Sequence, residues 1–138
     1  MSMRFFVLSI VLTVFMLASC EKPNLVPPED VVVDINITGV NTPASGNRNQ
    51  PIIASISMTA PNQCYRFSHF QVATQNPLLF EVRAKATIPN PDAGTVVCVP
   101  QTYTKDTTLS FNTHLTGKHV IRYYNGTQIF KVDTVIIN

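Results

Sequence analysis

Residues 79–88 read LFEVRAKATI. Apolar Phe80, Val82, Ala84, Ala86 and Ile88 alternate with Glu81, Arg83, Lys85 and Thr87. Successive side chains of a strand point to opposite faces, so this period of two predicts a strand with one face in a core and the other in water. The same period runs outward in both directions. In VVVDINITGV, residues 31–40, Val31, Val33, Ile35 and Ile37 share a face against Val32, Asp34, Asn36 and Thr38. IIASISMTA, residues 52–60, sets Ile52, Ala54, Ile56 and Met58 against Ile53, Ser55, Ser57 and Thr59. CYRFSHFQVATQ, residues 64–75, holds Tyr65 and Phe67 in one phase and Phe70 and Val72 in the other. A bulge near Ser68 and His69 would bring all four to one side. Downstream, TVVCVPQTY (95–103) and TTLSF (107–111) read as two more strands, the first stopped by Pro100. KHVIRYY and IFKVDTVII flank Asn125-Gly126, a strong hairpin signal between two apolar runs.

The breakers fall between these runs. NTPASGNRNQP (41–51) is the longest polar loop, PNQ (61–63) ends a strand, and PNPDAG (89–94) turns the chain. Strands recur about every ten residues, and no segment after residue 30 has helical period. The fold class expected is all-β: an antiparallel β-sandwich of seven or eight strands over residues 31–138. Tyr65, Phe67, Phe80, Phe111 and Phe130 are its expected aromatic core.

The front of the chain is different material. Phe5 to Ser19, FFVLSIVLTVFMLAS, is an uncharged run of fifteen residues behind Arg4. A spanning helix needs about 20 residues, and a signal-peptide core about 7–15. Leu17-Ala18-Ser19-Cys20 resembles the lipobox of bacterial lipoproteins. That resemblance implies a signal peptide over 1–19, cleavage before Cys20, and a lipid on the Cys20 thiol that anchors the protein to a membrane. A plain secretory signal with a chance cysteine, or a retained anchor, are the other readings of the same run. Residues 20–30, with Pro23, Pro27 and Pro28, read as a Pro-rich tether able to reach roughly 30 Å.

Removing residues 1–19 takes only Arg4 among the charges, leaving 119 residues with net charge +1. The basic residues are scattered, so a nucleic-acid partner is not expected. With Cys20 assigned to the lipid, Cys64 and Cys98 remain as an even pair in an oxidising compartment, and a disulfide is expected. Closing that loop is worth roughly 3–4 kcal/mol. Two buried free thiols are the alternative.

Two further resemblances refine the fold. LTGKHVIRYYNG (115–126) is similar to the corner of immunoglobulin-like and fibronectin-like sandwiches, with Leu115 and Gly117 in place and His119 where a tyrosine is usual. An imidazole can supply the same hydrogen bond to backbone. Neither cysteine lies on the penultimate strand, so antibody-like disulfide wiring is not implied. NQCYRFSHF (62–70), the second cysteine and the closing GKHVIRYYNGTQIFKVDTVII together resemble small envelope lipoproteins of the Bacteroidetes phylum. That resemblance implies an immunoglobulin-like lipoprotein of the bacterial outer membrane, with both the periplasmic and the surface-facing side open, and it implies no activity. Asp106-Thr107-Thr108 and Asp133-Thr134-Val135 resemble the short O-glycosylation motif of that phylum.

Candidate sites are few. His69, His114 and His119 lack the spacing of a zinc set. Glu81 and Asp133 could in principle meet across sheets, but no spacing favours a glycosidase pair. No nucleophile elbow, phosphate loop or metalloprotease helix is present, so no enzyme and no cofactor are expected. Tyr123-Tyr124 must put one ring outside. Tyr124 beside Arg122 is the candidate partner surface, for a protein or, alternatively, a glycan; the chain has no tryptophan for a sugar platform.

Overall fold

The computed structural model describes residues 29–93 and 96–138. The expected signal peptide, Cys20 and most of the tether lie outside these residues. Nine strands follow one another: β1 (Val31–Asp34), β2 (Asn36–Asn41), β3 (Ser45–Gly46), β4 (Pro51–Ala60), β5 (Arg66–Asn76), β6 (Leu79–Ile88), β7 (Tyr103–Asn112), β8 (Gly117–Asn125) and β9 (Gln128–Ile137). They form a three-stranded sheet, β2-β4-β7, and a six-stranded one containing β1, β3, β5, β6, β8 and β9. The core lies between them. Ile52, Ala54, Ile56 and Met58 of β4 and Ile37 of β2 meet Val82, Ala84 and Ala86 of β6, Ile121 and Tyr123 of β8, and Val135 and Ile137 of β9. Small alanines opposite long isoleucines let the two layers interdigitate. The alternation read in residues 52–60 and 79–88 is the alternation that is buried.

The all-β sandwich is as expected, but it has nine strands rather than seven or eight, and its larger sheet is mixed rather than antiparallel, with local differences that have physical causes. The run 31–40 is two strands, because the chain changes sheets at Ile35. β1 pairs with the end of β6, Val31 opposite Ile88, and β2 pairs with β4, Ile37 opposite Met58. At the crossing the Ile35 N–H donates to the Ala84 carbonyl at 3.1 Å. Ile35 and Ile37 are buried as read, but Val31 has left the core face and is exposed. The long polar loop contains the two-residue β3, which pairs in parallel with Ile136 and Ile137 of β9. Residues 96–102, expected as a strand around Cys98, are irregular; β7 starts only at Tyr103, past Pro100.

One edge of β6 serves two partners. β8 covers Leu79–Arg83 in parallel and β1 covers Lys85–Ile88 antiparallel, while β5 lies along the other edge. Parallel neighbours need a crossover between them. β7, which sits in the opposite sheet, supplies it. The order in the larger sheet therefore puts the second strand of the β5–β6 hairpin, rather than the first, beside the penultimate strand.

The expected bulge is present: the β5–β6 register shifts between Phe67 and His69. Phe67 then faces Ala86, Phe70 faces Ala84 and Val72 faces Val82, all on the inner side. A second bulge, between Tyr123 and Tyr124, displaces Phe130 on β9. Phe130 was expected in the core but is exposed: it has the parity of outward Val132 and Thr134, opposite to that of buried Val135 and Ile137. The Asn125-Gly126 hairpin is confirmed, with Asn125 opposite Gln128 and Gly126 at φ 59°. A positive φ at the first central residue of a two-residue loop is why glycine is required there.

Cys64 and Cys98 are joined, with Cα atoms 5.4 Å apart. The bridge ties the segment after β4 to the segment before β7. It lies at the end of the sandwich where β1 begins and β6 finishes.

Candidate functional site

The outer face of the larger sheet carries the expected pair, and it is more occupied than the sequence suggests. Glu81 on β6 lies opposite Arg122 of β8, and Arg83 lies opposite Tyr124. Glu81 was read as a solvent-facing residue, yet it is only 8 % exposed. Its Oε1 accepts from the Tyr124 hydroxyl at 3.0 Å and from Gln75 Nε2 at 3.1 Å, with Arg122 Nη1 4.0 Å away. A carboxylate under cover needs such donors. The Arg83 guanidinium stands 4.4 Å from the centroid of the Tyr124 ring, and its Nε donates to the Gly126 carbonyl at 3.3 Å. Tyr124 is thus half-buried and bonded through both its ring and its hydroxyl. Arg122, with a side chain 39 % exposed, is the more accessible member of the pair.

A second polar group lies on the inner face near the open side of the sandwich. Lys131 and Asp133 share parity with buried Val135 and Ile137, so the period of two already pointed them inward. Lys131 Nζ donates to Asp133 Oδ1 at 3.0 Å and to the Val40 carbonyl at 2.8 Å. Beside them Tyr123 is fully buried, with its hydroxyl 2.9 Å from Thr42 Oγ1. Burial pushes the Tyr123 phenol up from 10.0 to about 12; the Thr42 hydrogen bond opposes it in part, and the Asp133 charge adds a smaller upward push. The native state therefore keeps its proton where the unfolded chain loses it. This stabilisation is intact below about pH 10 and is lost as pH rises toward 12. In Tyr123→Phe that alkaline loss of stability, followed by urea unfolding at stepped pH, is expected to flatten. The variant should also lose about 1 kcal/mol at neutral pH with its hydrogen bond.

Glu81 and Asp133 do not meet. They lie on opposite faces of the same sheet, since Asp133 is paired with inward Ile121. The histidines are also dispersed. His69 contacts Ser68 Oγ and His114 contacts Asn49 Oδ1, both at the surface. His119 is buried and bonded at both ring nitrogens: Nδ1 lies 3.2 Å from the Gly117 carbonyl, which makes it the donor, and Nε2 is 2.8 Å from Thr113 Oγ1. Among the described residues no three His, Cys, Asp or Glu side chains are grouped to hold a metal. Of the two candidate glycosylation threonines, Thr134 is exposed on β9 and Thr107 is half-buried on β7.

At the disulfide end a cleft of about 330 Å³ opens between Tyr65, Ile88, Pro89, Val96 and the Cys64–Cys98 bridge. Nothing in the sequence marked it, because its walls come from three segments that only the bridge and the sheet register bring together. Comparison with protein-family models, curated proteins and solved structures returns no match.

The edges of the two sheets complete the inventory of docking features. β5 carries two register shifts, and β9 turns Lys131 and Asp133 inward; bulges and inward charges are known ways of blunting an edge. β7 is different. All ten of its residues pair with β4 in unbroken register, Tyr103 with Ala60 through Asn112 with Pro51. Its other edge has no strand partner among the described residues. Lys105 and Asp106 guard its beginning; Thr107–Asn112 has neither charge, proline nor bulge.

Proposed function

We propose that this protein is a non-enzymatic lipoprotein, held to a bacterial membrane through Cys20, whose sandwich binds another envelope protein by adding a partner strand to β7. The anchor rests on the apolar run ending in Leu-Ala-Ser-Cys. The partner reading rests on one observation: the straight, uncharged and unpaired edge of Thr107–Asn112. Such an edge presents a row of free N–H and C=O groups, and a docked strand uses them for affinity while alternate side chains set specificity. The glycan alternative has less support, since Tyr124 is already covered by Arg83 and bonded to Glu81.

A photo-crosslinking residue at Thr108, in the full chain expressed in its own cells, tests this. An adduct of one defined mass is expected from Thr108, and none from the same probe at Thr134 on the outer face of β9. Equal labelling at both positions, or none at Thr108, rejects the β7 edge as the docking site.

A further inference from the structure

The segment Val96-Val97-Cys98-Val99 is apolar and largely uncovered. Val97 is 90 % exposed, Val99 58 % and Val96 49 %. An isolated exposed valine needs no explanation, but three in four residues at one loop do. The loop is also held in place, because Cys98 is bridged to Cys64 and the Val99 carbonyl accepts from the Gln63 N–H at 3.2 Å. It lies at the end of the sandwich where the chain joins the domain, since Val31 pairs with Ile88 just before the turn that leads to this loop. Val31 and Val32, also exposed, extend the apolar surface toward that junction. Asn138, by contrast, is bonded to Gly46 at the opposite end.

We propose that the Val96–Val99 loop rests in the interface of the bilayer to which the chain is anchored, as a second apolar contact beside the lipid. This rests on the reading of Cys20 as the lipidated residue. The preceding chain leads from this end of the domain to the lipid, which makes the bilayer the occupant. Ten residues lie between Cys20 and Val31, so eleven steps along the chain limit the distance between anchor and domain to about 36 Å. The apolar loop lies at the end of the domain where that chain enters. The lipid on Cys20 carries more than one acyl chain and anchors stably by itself, so what a small apolar contact adds is a fixed orientation of the sandwich at the surface. Charge plays little part: the charged groups around this end are Glu29, Asp30, Asp92 and Arg66, all exposed and mixed in sign. The contact should accordingly be insensitive to salt.

The chain has no tryptophan, so one introduced indole is a unique reporter. Full-length, cell-processed protein carrying Val97→Trp is reconstituted into phosphatidylcholine vesicles with and without brominated acyl chains. The expected result is quenching of about twofold in the brominated vesicles, consistent with insertion to roughly 5–10 Å. Leu115→Trp, at the far end of the sandwich, should not be quenched. Because indole itself favours interfaces, a second pair guards the result: Val99→Trp alone should be quenched, and Val99→Trp with Val97→Asp should not. Protein that floats with the vesicles while Val97→Trp stays unquenched overturns the loop contact and leaves the anchor standing. Protein that does not float overturns the anchor reading and this proposal with it.

Discussion

Replacing Cys64 and Cys98 together by serine is expected to lower stability by about 4 kcal/mol, the loop-closure entropy of a 34-residue separation. In a domain of this size that is a fall in Tm of about 15 °C. The effect should come mainly through the unfolded chain. In the native fold the bridge joins segments that other contacts already hold: Ala60 pairs with Tyr103, the Gln63 N–H reaches the Val99 carbonyl, and Gln63 Nε2 reaches the Thr102 carbonyl at 2.8 Å. Freed of the bridge, these segments keep their partners, while the denatured ensemble expands. Urea titration therefore should show a lower midpoint together with a steeper slope, because more surface becomes exposed on unfolding. Reductant added to the unsubstituted protein should give the same midpoint as the double serine variant. A loss under about 1 kcal/mol with unchanged slope would mean that the denatured chain is constrained by something else, and would sink the entropic account.

What could be read from the sequence follows from where the information sits. The layers were legible because binary alternation is local: LFEVRAKATI and IIASISMTA each declare their buried face without reference to any other segment. The bulge at Ser68-His69 was legible for the same reason, as a change of phase inside one run. The disulfide became legible once Cys20, the first of three cysteines, was set aside for the lipid and left an even pair. Glu81 was misplaced because outward parity says nothing about cover; its burial comes from Tyr124 and Gln75, which reach it from neighbouring strands. Phe130 was misplaced because its size was weighed over its phase: it alternates with Lys131, Asp133, Val135 and Ile137, which point inward, and so falls on the outer face. The irregular 96–102 segment shows the limit in another way. Its composition favours a strand, but a strand also needs a neighbour, and here the bridge and Pro100 leave it without one. The candidate surface fared similarly. Arg122 and Tyr124 were placed on the correct face by parity, whereas the β7 edge could not be recognised as free until the order of strands was known.

Asn125 carries the second large effect, through a contact no pattern announces. β2 is an edge strand, and at Ile37 the backbone groups that face away from β4 are partly buried against the β8–β9 hairpin. No strand lies there to receive them. The Asn125 side chain takes that place: Oδ1 accepts the Ile37 N–H at 2.7 Å, and Nδ2 donates to the Ile37 carbonyl at 3.0 Å. A carboxamide presents one donor and one acceptor side by side, as a peptide group does, so a single residue substitutes for a strand. Asn125→Ala leaves both groups of Ile37 unpaired. At about 1–3 kcal/mol for each buried orphan, the expected loss is about 3 kcal/mol. Asn125→Asp discriminates further. It keeps the acceptor for the N–H and replaces the donor by an oxygen facing the carbonyl. Ionised, that carboxylate is disfavoured in the native state, so its folded pKa should lie above the unfolded value near 3.9. Below that value it is protonated in both states and can donate to the carbonyl. The deficit of this variant should then be smallest in acid, grow as pH rises from about 4 to the folded pKa, and stay level above it. Asn125→Ala should show no such pH dependence relative to the unsubstituted protein. Chemical denaturation of both variants across this range provides the measurement. An Asn125→Asp protein as stable as the parent at neutral pH would show that the Ile37 groups are satisfied without the amide, and the single-residue substitute for a strand would have to be abandoned.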